Sequence, residues 1–251
     1  MPLQLQSNSP SPTLSFTEKI KRYIACRREI SPQLWGLEPE RYPQTVESFR
    51  ILKNRIIRFN EKEGIKIFLF TGVERKTGVS TISFNLSVIC SQDIPERRSL
   101  LIDGNIAHPA LHKSFGLAPT PGLLDHLYGE ASLTEVINNS FFLNLDLLPL
   151  GSISKAFSSP FTLQSFIDFF EIIGERYEMI FIDTEPCVTS SHTQSICTRT
   201  DGVILIAEAC KTRLDAVRNA SVQLNNSGVR LLGSFLNRRR DVIPTCLHGY
   251  T

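Results

Sequence analysis

The chain has 251 residues, 41% of them hydrophobic, which suits one large α/β domain better than two. Its 27 basic and 25 acidic residues leave a formal net charge of +2, so there is no support for a nucleic-acid binder, which presents a strongly basic face. No apolar run approaches the ~20 residues needed to cross a bilayer.

The six cysteines are Cys26, Cys90, Cys187, Cys197, Cys210 and Cys246, and they show neither a C-x-x-C pair nor zinc spacing. They read as reduced, mostly buried thiols of a cytoplasmic protein. Residues 1–17 are rich in Ser, Pro and Gln and are expected to form a disordered tail. They lack the basic start and apolar stretch of a signal peptide.

Residues 18–43 read as a short basic helix followed by a proline-punctuated linker. Ile20, Tyr23 and Ile24 share one side of that helix, and Lys19, Lys21, Arg22, Arg27 and Arg28 surround them. Such a helix can rest on the inner face of an anionic membrane or on an acidic partner, or simply pack on the domain as a solvated helix. A longer helix is predicted from Gln44 to Asn60, with Val46, Phe49, Leu52, Ile56 and Phe59 forming its apolar face.

Strands and helices then alternate. Strand-like runs cover Ile65–Phe70, Ser99–Asp103, Asn144–Leu148, Met179–Asp183, Gly202–Ala207 and Arg230–Leu236, with a clear helical pattern from Leu163 to Arg176. Near-continuous apolar strands point to a sheet covered on both faces. The expected fold is therefore α/β: a doubly wound, mostly parallel sheet with helices on both faces, in one domain over residues 44–240. A short tail, 241–251, follows. Sheets of this kind bind ligands beyond the carboxyl ends of their strands.

At the end of the first strand stands TGVERKTGVST, from Thr71 to Thr81. A phosphate-binding loop reads G-x-x-x-x-G-K-[ST] between a strand and a helix, where backbone N–H groups cradle phosphates and lysine neutralises them. Gly78, Ser80 and Thr81 match the end of that motif, but Val79 occupies the lysine position and Gly72 comes one residue too early for the first glycine. Ser80 would ligate magnesium in a working site, and Thr81 would sit at the helix start near the phosphates. Asp183, closing MIFID, can hold magnesium through water, and Asp103, closing LLID, can serve as a second carboxylate, either general base or metal-shell ligand. Either aspartate can instead cap a helix or shape a turn.

With these residues in order, the chain resembles the bacterial tyrosine kinases (BY-kinases) of capsule and exopolysaccharide biosynthesis, within the P-loop NTPase superfamily. VESFRILKNRI is similar to that family's E-x-x-R-x-x-R helix, matched by Glu47, Arg50 and Lys53. LLIDGN and the loop after it resemble its second Walker-like segment, MIFIDTEP its D-T-P-P segment, and TDGVILIAEACKTR and LGSFLNR two further segments, all in family order. The resemblance implies Asp103 as the Walker A′ aspartate, Asp183 as the Walker B aspartate and Asn237 near the adenine of ATP or ADP. Glu47, Arg50 and Lys53 would lie at the contact between subunits of a homo-oligomeric ring. The implied partner is the cytoplasmic segment of a membrane polysaccharide chain-length regulator.

The departures from the family pattern fall in the chemistry. Lysine is replaced by Val79, the second A′ aspartate by Asn105, the basic residue after it by Ala107, Pro-Gly-Glu by Arg75-Lys76-Thr77, and a later aspartate by His192. The tyrosine-rich tail is reduced to Tyr250. Losing one preorganised charge-stabilising group costs phosphoryl transfer roughly 3 kcal/mol by analogy with oxyanion sites. The expectation is a BY-kinase-like protein with lost or weak kinase activity and weakened or lost binding of ATP, ADP and Mg, acting as a regulatory or assembly partner. The alternatives are an active autokinase in which Lys76 or Arg75 replaces the missing lysine, and a partitioning-type ATPase.

Overall fold

The computed structural model describes residues 43–94, 96–140, 142–154 and 163–238. The expected N-terminal tail, the basic helix and the linker as far as residue 42, and the C-terminal tail with Tyr250, lie outside them, and Pro43, the last residue of that expected linker, instead opens a helix. The first described helix, α1, runs Pro43–Glu63. Val46, Phe49, Leu52 and Ile56 are buried along it, as the periodicity predicts. It outlasts the predicted end by three residues and stops at Gly64, whose φ of 68° turns the chain so that the Gly64 and Ile65 N–H groups donate to Asn60 and Phe59 carbonyls.

That turn shifts the first strand. β1 runs Ile67–Gly72 rather than from Ile65 to Phe70. The Ile65 N–H is engaged by the helix end, and the Asp201 carboxylate accepts from the N–H groups of Lys66 and Ile67. At the other end Thr71 and Gly72 still pair with Leu205 and Ile206. The remaining strands are β2 (Ser99–Asp103), β3 (Asn138–Asn139), β4 (Leu145–Leu148), β5 (Met179–Asp183), β6 (Gly202–Glu208) and β7 (Leu231–Asn237). They form one sheet in the order β3-β4-β2-β5-β1-β6-β7. Every neighbouring pair is parallel except β3 with β4.

The expected α/β, doubly wound, mostly parallel sheet in a single domain is thus what the chain forms. The helices after α1 are α2 (Val79–Asp93), α3 (Leu111–Ser114), α4 (Leu123–Leu127), α5 (Leu133–Val136), α6 (Leu163–Arg176), α7 (Ser191–Cys197) and α8 (Leu214–Asn226). The three shortest and β3 have too few residues to show a period.

Alternation along the central strands divides the core in two. Ile67, Leu69, Leu100, Ile102, Ile180, Ile182, Val203 and Leu205 face one cluster, with Phe166, Phe169, Phe170 and Ile173 of α6. Phe68, Phe70, Leu101, Phe181, Ile204 and Ile206 face the other, under α1 and α2. There Phe181 stacks between Phe68 and Phe70, with centroids 6.1 and 6.2 Å away. α2 packs against both the sheet and α1, so most of its residues are buried, polar ones included. This anchoring fixes the start of α2 at the carboxyl end of the central strands.

Candidate nucleotide site

The loop from Val73 to Gly78 is held from both sides. The Val73 N–H donates to the Ile206 carbonyl at 2.9 Å, and the Thr77 hydroxyl donates to the Glu74 carbonyl at 3.3 Å. From the end of β7, the Asn237 amide donates to the Thr77 carbonyl at 2.7 Å and the Arg238 guanidinium to the Lys76 carbonyl at 3.2 Å. In planar trans peptides the N–H opposes the C=O, so the Thr77 and Gly78 N–H groups turn away from β7. Lys76 adopts a φ of 65°, a left-handed conformation that L side chains rarely take. Gly78 stands at the N-cap of α2 with a φ of 93° and no side-chain cap. A Cβ there would meet the Asn237 amide nitrogen at 2.3 Å.

The first N–H groups of α2 therefore have no intrahelical acceptor and no capping side chain. With the dipole of a 15-residue helix behind them, they favour an anion. They face a cavity of about 1000 Å³ lined by the whole loop from Glu74 to Thr81, by Asn105, Ala107, His108 and Lys113 after β2, and by Thr184, Glu185, Lys211 and Arg238. Ser80 and Thr81 are half-buried on this wall in the first turn of the helix. Val79 is buried in the apolar cluster under α1 and α2. Its side chain offers the cavity no donor.

Beneath the wall lie two carboxylates. Asp103 and Asp183 are paired across β2 and β5 and are fully buried. Asp103 accepts from the N–H groups of Asn105 at 3.2 Å and of Ala110 and Leu111 at 3.0 Å each. Burial nevertheless raises its carboxyl to about 6, the three donors limiting the rise. Asp183 is pushed well above the usual carboxylate range by burial and then by the Asp103 charge, with the Ser80 and Ser83 hydroxyls opposing the shift. Its Oδ1 has no hydrogen-bond partner among the described residues.

No family model matches the chain. Individual proteins do. It is 28% identical over 203 residues to the tyrosine-protein kinase CpsD of Streptococcus agalactiae, covering 80% of this chain and 87% of that one. It is 27% identical over 197 residues to the tyrosine-protein kinase YwqD of Bacillus subtilis, covering 77% and 81%. Against EpsB of Ralstonia nicotianae it is 25% identical over 193 residues, 77% of this chain but only a quarter of that longer protein. This chain is a homologue of the bacterial tyrosine-protein kinases. Its fold agrees: the chimerical protein CapA2B2 matches with a TM-score of 0.72 at 24% identity, over 85% of this chain and 92% of that one. The septum site-determining protein MinD complexed with Mg-ADP from Pyrococcus horikoshii matches with a TM-score of 0.59 at 21% identity, over 72% and 74%. The chain has the P-loop NTPase fold.

Against that background the residues singled out from sequence divide. The structure brings Gly78, Ser80 and Thr81 to one wall and sets Asp103 and Asp183 directly behind it. Asn237 is close by but is not part of the lining: its amide nitrogen holds Thr77, and its oxygen accepts from the Arg238 N–H at 2.9 Å. Glu47 and Arg50 form an exposed i,i+3 ion pair at 3.7 Å, whereas Lys53 turns inward to Asp93 of α2. Sequence reading overlooked Lys113, Lys211, Arg238 and Glu185. A signal was there for two of them, since KTR follows the carboxyl end of β6 and LNR closes β7. Lys211 and Arg238 both bind Glu208 at 3.0 Å, holding its carboxylate below the usual range.

The residues present fit magnesium. The unpartnered, buried Asp183 Oδ1 can accept from a metal-bound water, and the Ser80 hydroxyl in the first turn of α2 is an oxygen donor suited to a hard cation. Ser80 and Asp183 would hold such an ion, which would supply positive charge against the phosphates. Among the described residues no group of three or more His, Cys, Asp or Glu forms a separate metal site, and no helix is long and apolar enough to cross a membrane.

Proposed function

We propose that this protein is a BY-kinase-like component of exopolysaccharide or capsule biosynthesis and export that binds nucleotide weakly and has lost most or all kinase activity. In this reading it works as a regulatory or assembly partner of a membrane chain-length regulator, recruited from the cytoplasm to the inner membrane face. The observation that carries the reading is the apolar burial of Val79 at the start of α2, where the helix end and loop remain shaped for a phosphate. The loop clamp and the anion-favouring helix start support retained binding. The missing lysine and the neutral Asn105 remove charge that phosphoryl transfer relies on. Likeness to the tyrosine-protein kinase CpsD supports the kinase-like part of this reading.

Within the site each group has a physical part. The α2 N-terminus and loop N–H groups would hold phosphate oxygens, Ser80 and Asp183 would position the cation, and Asp103 would shape the loop from Asn105 to Leu111 through its three N–H donors. Exposed Glu47 and Arg50 are available for a contact between protomers of a ring.

A second reading, an active autokinase, is favoured by one feature. Arg75, Lys76 and Lys113 line the cavity and form no ion pair with a described residue, so one of them can supply the missing cation. The deciding experiment is calorimetric titration of Mg-ATP and Mg-ADP into wild type and Val79→Lys, with mass spectrometry for phosphotyrosine. The proposed reading expects weak wild-type binding, tighter binding by the variant, and no phosphate on Tyr250. Rapid ATP turnover by the wild-type chain, or phosphorylated Tyr250, would establish the autokinase instead. A polysaccharide locus around the gene supports this assignment, and a replication or division locus would point to a partitioning-type ATPase.

A further inference from the structure

Glu185 stands two residues beyond Asp183, on backbone still tied to the sheet. The Thr184 N–H donates to the Phe70 carbonyl at 3.0 Å, and the Thr71 hydroxyl donates to the Glu185 carbonyl at 2.8 Å. The same Thr71 oxygen accepts from the Cys187 N–H at 2.9 Å, which locks the turn on both sides of the glutamate. Its carboxylate is half-buried on the cavity wall and oriented by the Ser190 hydroxyl, which donates to Oε1 at 2.6 Å.

Arg75, Lys76, Lys113, Lys211 and Arg238 line the same cavity, yet Glu185 forms no ion pair with any described residue. A carboxylate fixed in a phosphate-binding cavity repels the ligand unless a cation lies between them. Glu74, the other carboxylate on the lining, is exposed, and no described side chain orients it. Asn105, which follows the neighbouring strand β2, lines the same cavity and is neutral.

We propose that Glu185 accepts hydrogen bonds from the waters of a divalent cation that binds together with nucleoside diphosphate or triphosphate. It would thereby supply, from the turn after β5, the carboxylate that the Asn105 position lacks. Magnesium keeps several of its waters and takes few protein ligands, so a carboxylate set back on the wall suits it. The inference rests on the reading of this cavity as a nucleotide site.

The test is calorimetric titration of ADP into the full chain with Mg²⁺ or with EDTA, for wild type, Glu185→Gln and Glu185→Asp. Wild type should bind ADP more tightly with Mg²⁺. In Glu185→Gln that gain should shrink by about 10- to 100-fold, as expected when a group orienting a metal's shell is lost. Its affinity in EDTA should stay the same or rise, because a repelling charge is gone. Glu185→Asp should keep part of the gain. An intact magnesium gain in the Gln variant overturns the inference. So does an equal loss with and without magnesium, which would mark Glu185 as a turn anchor through Ser190. Both results leave the nucleotide reading standing. A wild type that binds ADP without any magnesium gain likewise removes only the role of Glu185. Absence of ADP binding under both conditions removes the nucleotide reading and the inference together. If circular dichroism shows Glu185→Gln unfolded, Ser190→Ala frees the same carboxylate. It must then reduce the magnesium gain more than the EDTA affinity, and failure to do so counts against the inference.

Discussion

Replacing Asp103 by asparagine should stabilise the protein at pH 8 and destabilise it at pH 4. In the folded chain the Asp103 carboxyl holds its proton up to about 6, against 3.8 for an ordinary aspartate. Between those values the folded state binds more protons than the unfolded one, so stability falls as pH rises through the window. The gap corresponds to about 3 kcal/mol, fully lost by pH 8. Asparagine does not ionise and escapes that loss. Its side-chain oxygen can still accept from the N–H groups of Ala110 and Leu111, but its NH₂ meets the Asn105 N–H that donates to Oδ1 in the wild type. That lost hydrogen bond costs about 1 kcal/mol. The net expectation is about 2 kcal/mol of added stability at pH 8 and about 0.5 kcal/mol lost at pH 4, where more than half of the unfolded-state carboxyl is already ionised. Relief of Asp183, whose carboxyl the Asp103 charge pushes up, acts in the same direction at high pH. The assay is urea unfolding followed by circular dichroism in EDTA, wild type beside variant, across that pH range. A difference between the two proteins that stays constant with pH would refute the linkage argument.

Gly78→Ala should destabilise the fold by about 1–3 kcal/mol, because the new methyl meets the Asn237 amide nitrogen at 2.3 Å in a left-handed backbone. Thermal unfolding reads this out, and Asn237→Ala in the same chain should recover part of it. Phe181→Ala removes a fully buried ring stacked between Phe68 and Phe70 and should cost about 3–5 kcal/mol in urea unfolding. Arg238→Ala releases the Lys76 carbonyl and Glu208, and should weaken ADP binding in EDTA and in Mg²⁺ alike, since it acts on the loop and not on the metal. Paired reversal of Glu47 and Arg50 should leave stability within about 0.5 kcal/mol, as for exposed ion pairs generally. Sedimentation velocity then shows whether either single substitution shifts the oligomeric state.

Much of this architecture is legible in the order of residues. Near-continuous apolar runs in MIFID and LLID, period 3.6 from Val46 to Phe59, and Gly78 before a helix are local patterns, and local backbone physics reads them directly. The boundaries of β1 were not legible, because they depend on Asp201 reaching Lys66 and Ile67 from far along the chain. β3 and the one-turn helices α3 and α5 escape for a different reason: they are shorter than any period that would announce them.

The chemistry divides along the same line. Val79 in place of lysine, Asn105 in place of aspartate, and the two strand-end aspartates stand in the sequence itself, since each occupies a fixed place in a strand–loop–helix unit. Only the folded chain shows that Asp103 is bound by three backbone N–H groups, that Asn237 and Arg238 clamp the loop, and that Lys113, Lys211 and Glu185 share one cavity. Those relations join residues up to 162 positions apart. A parallel sheet gathers the ends of its strands at one edge irrespective of their distance in sequence, so which charges meet there is decided by strand order and not by motif spacing.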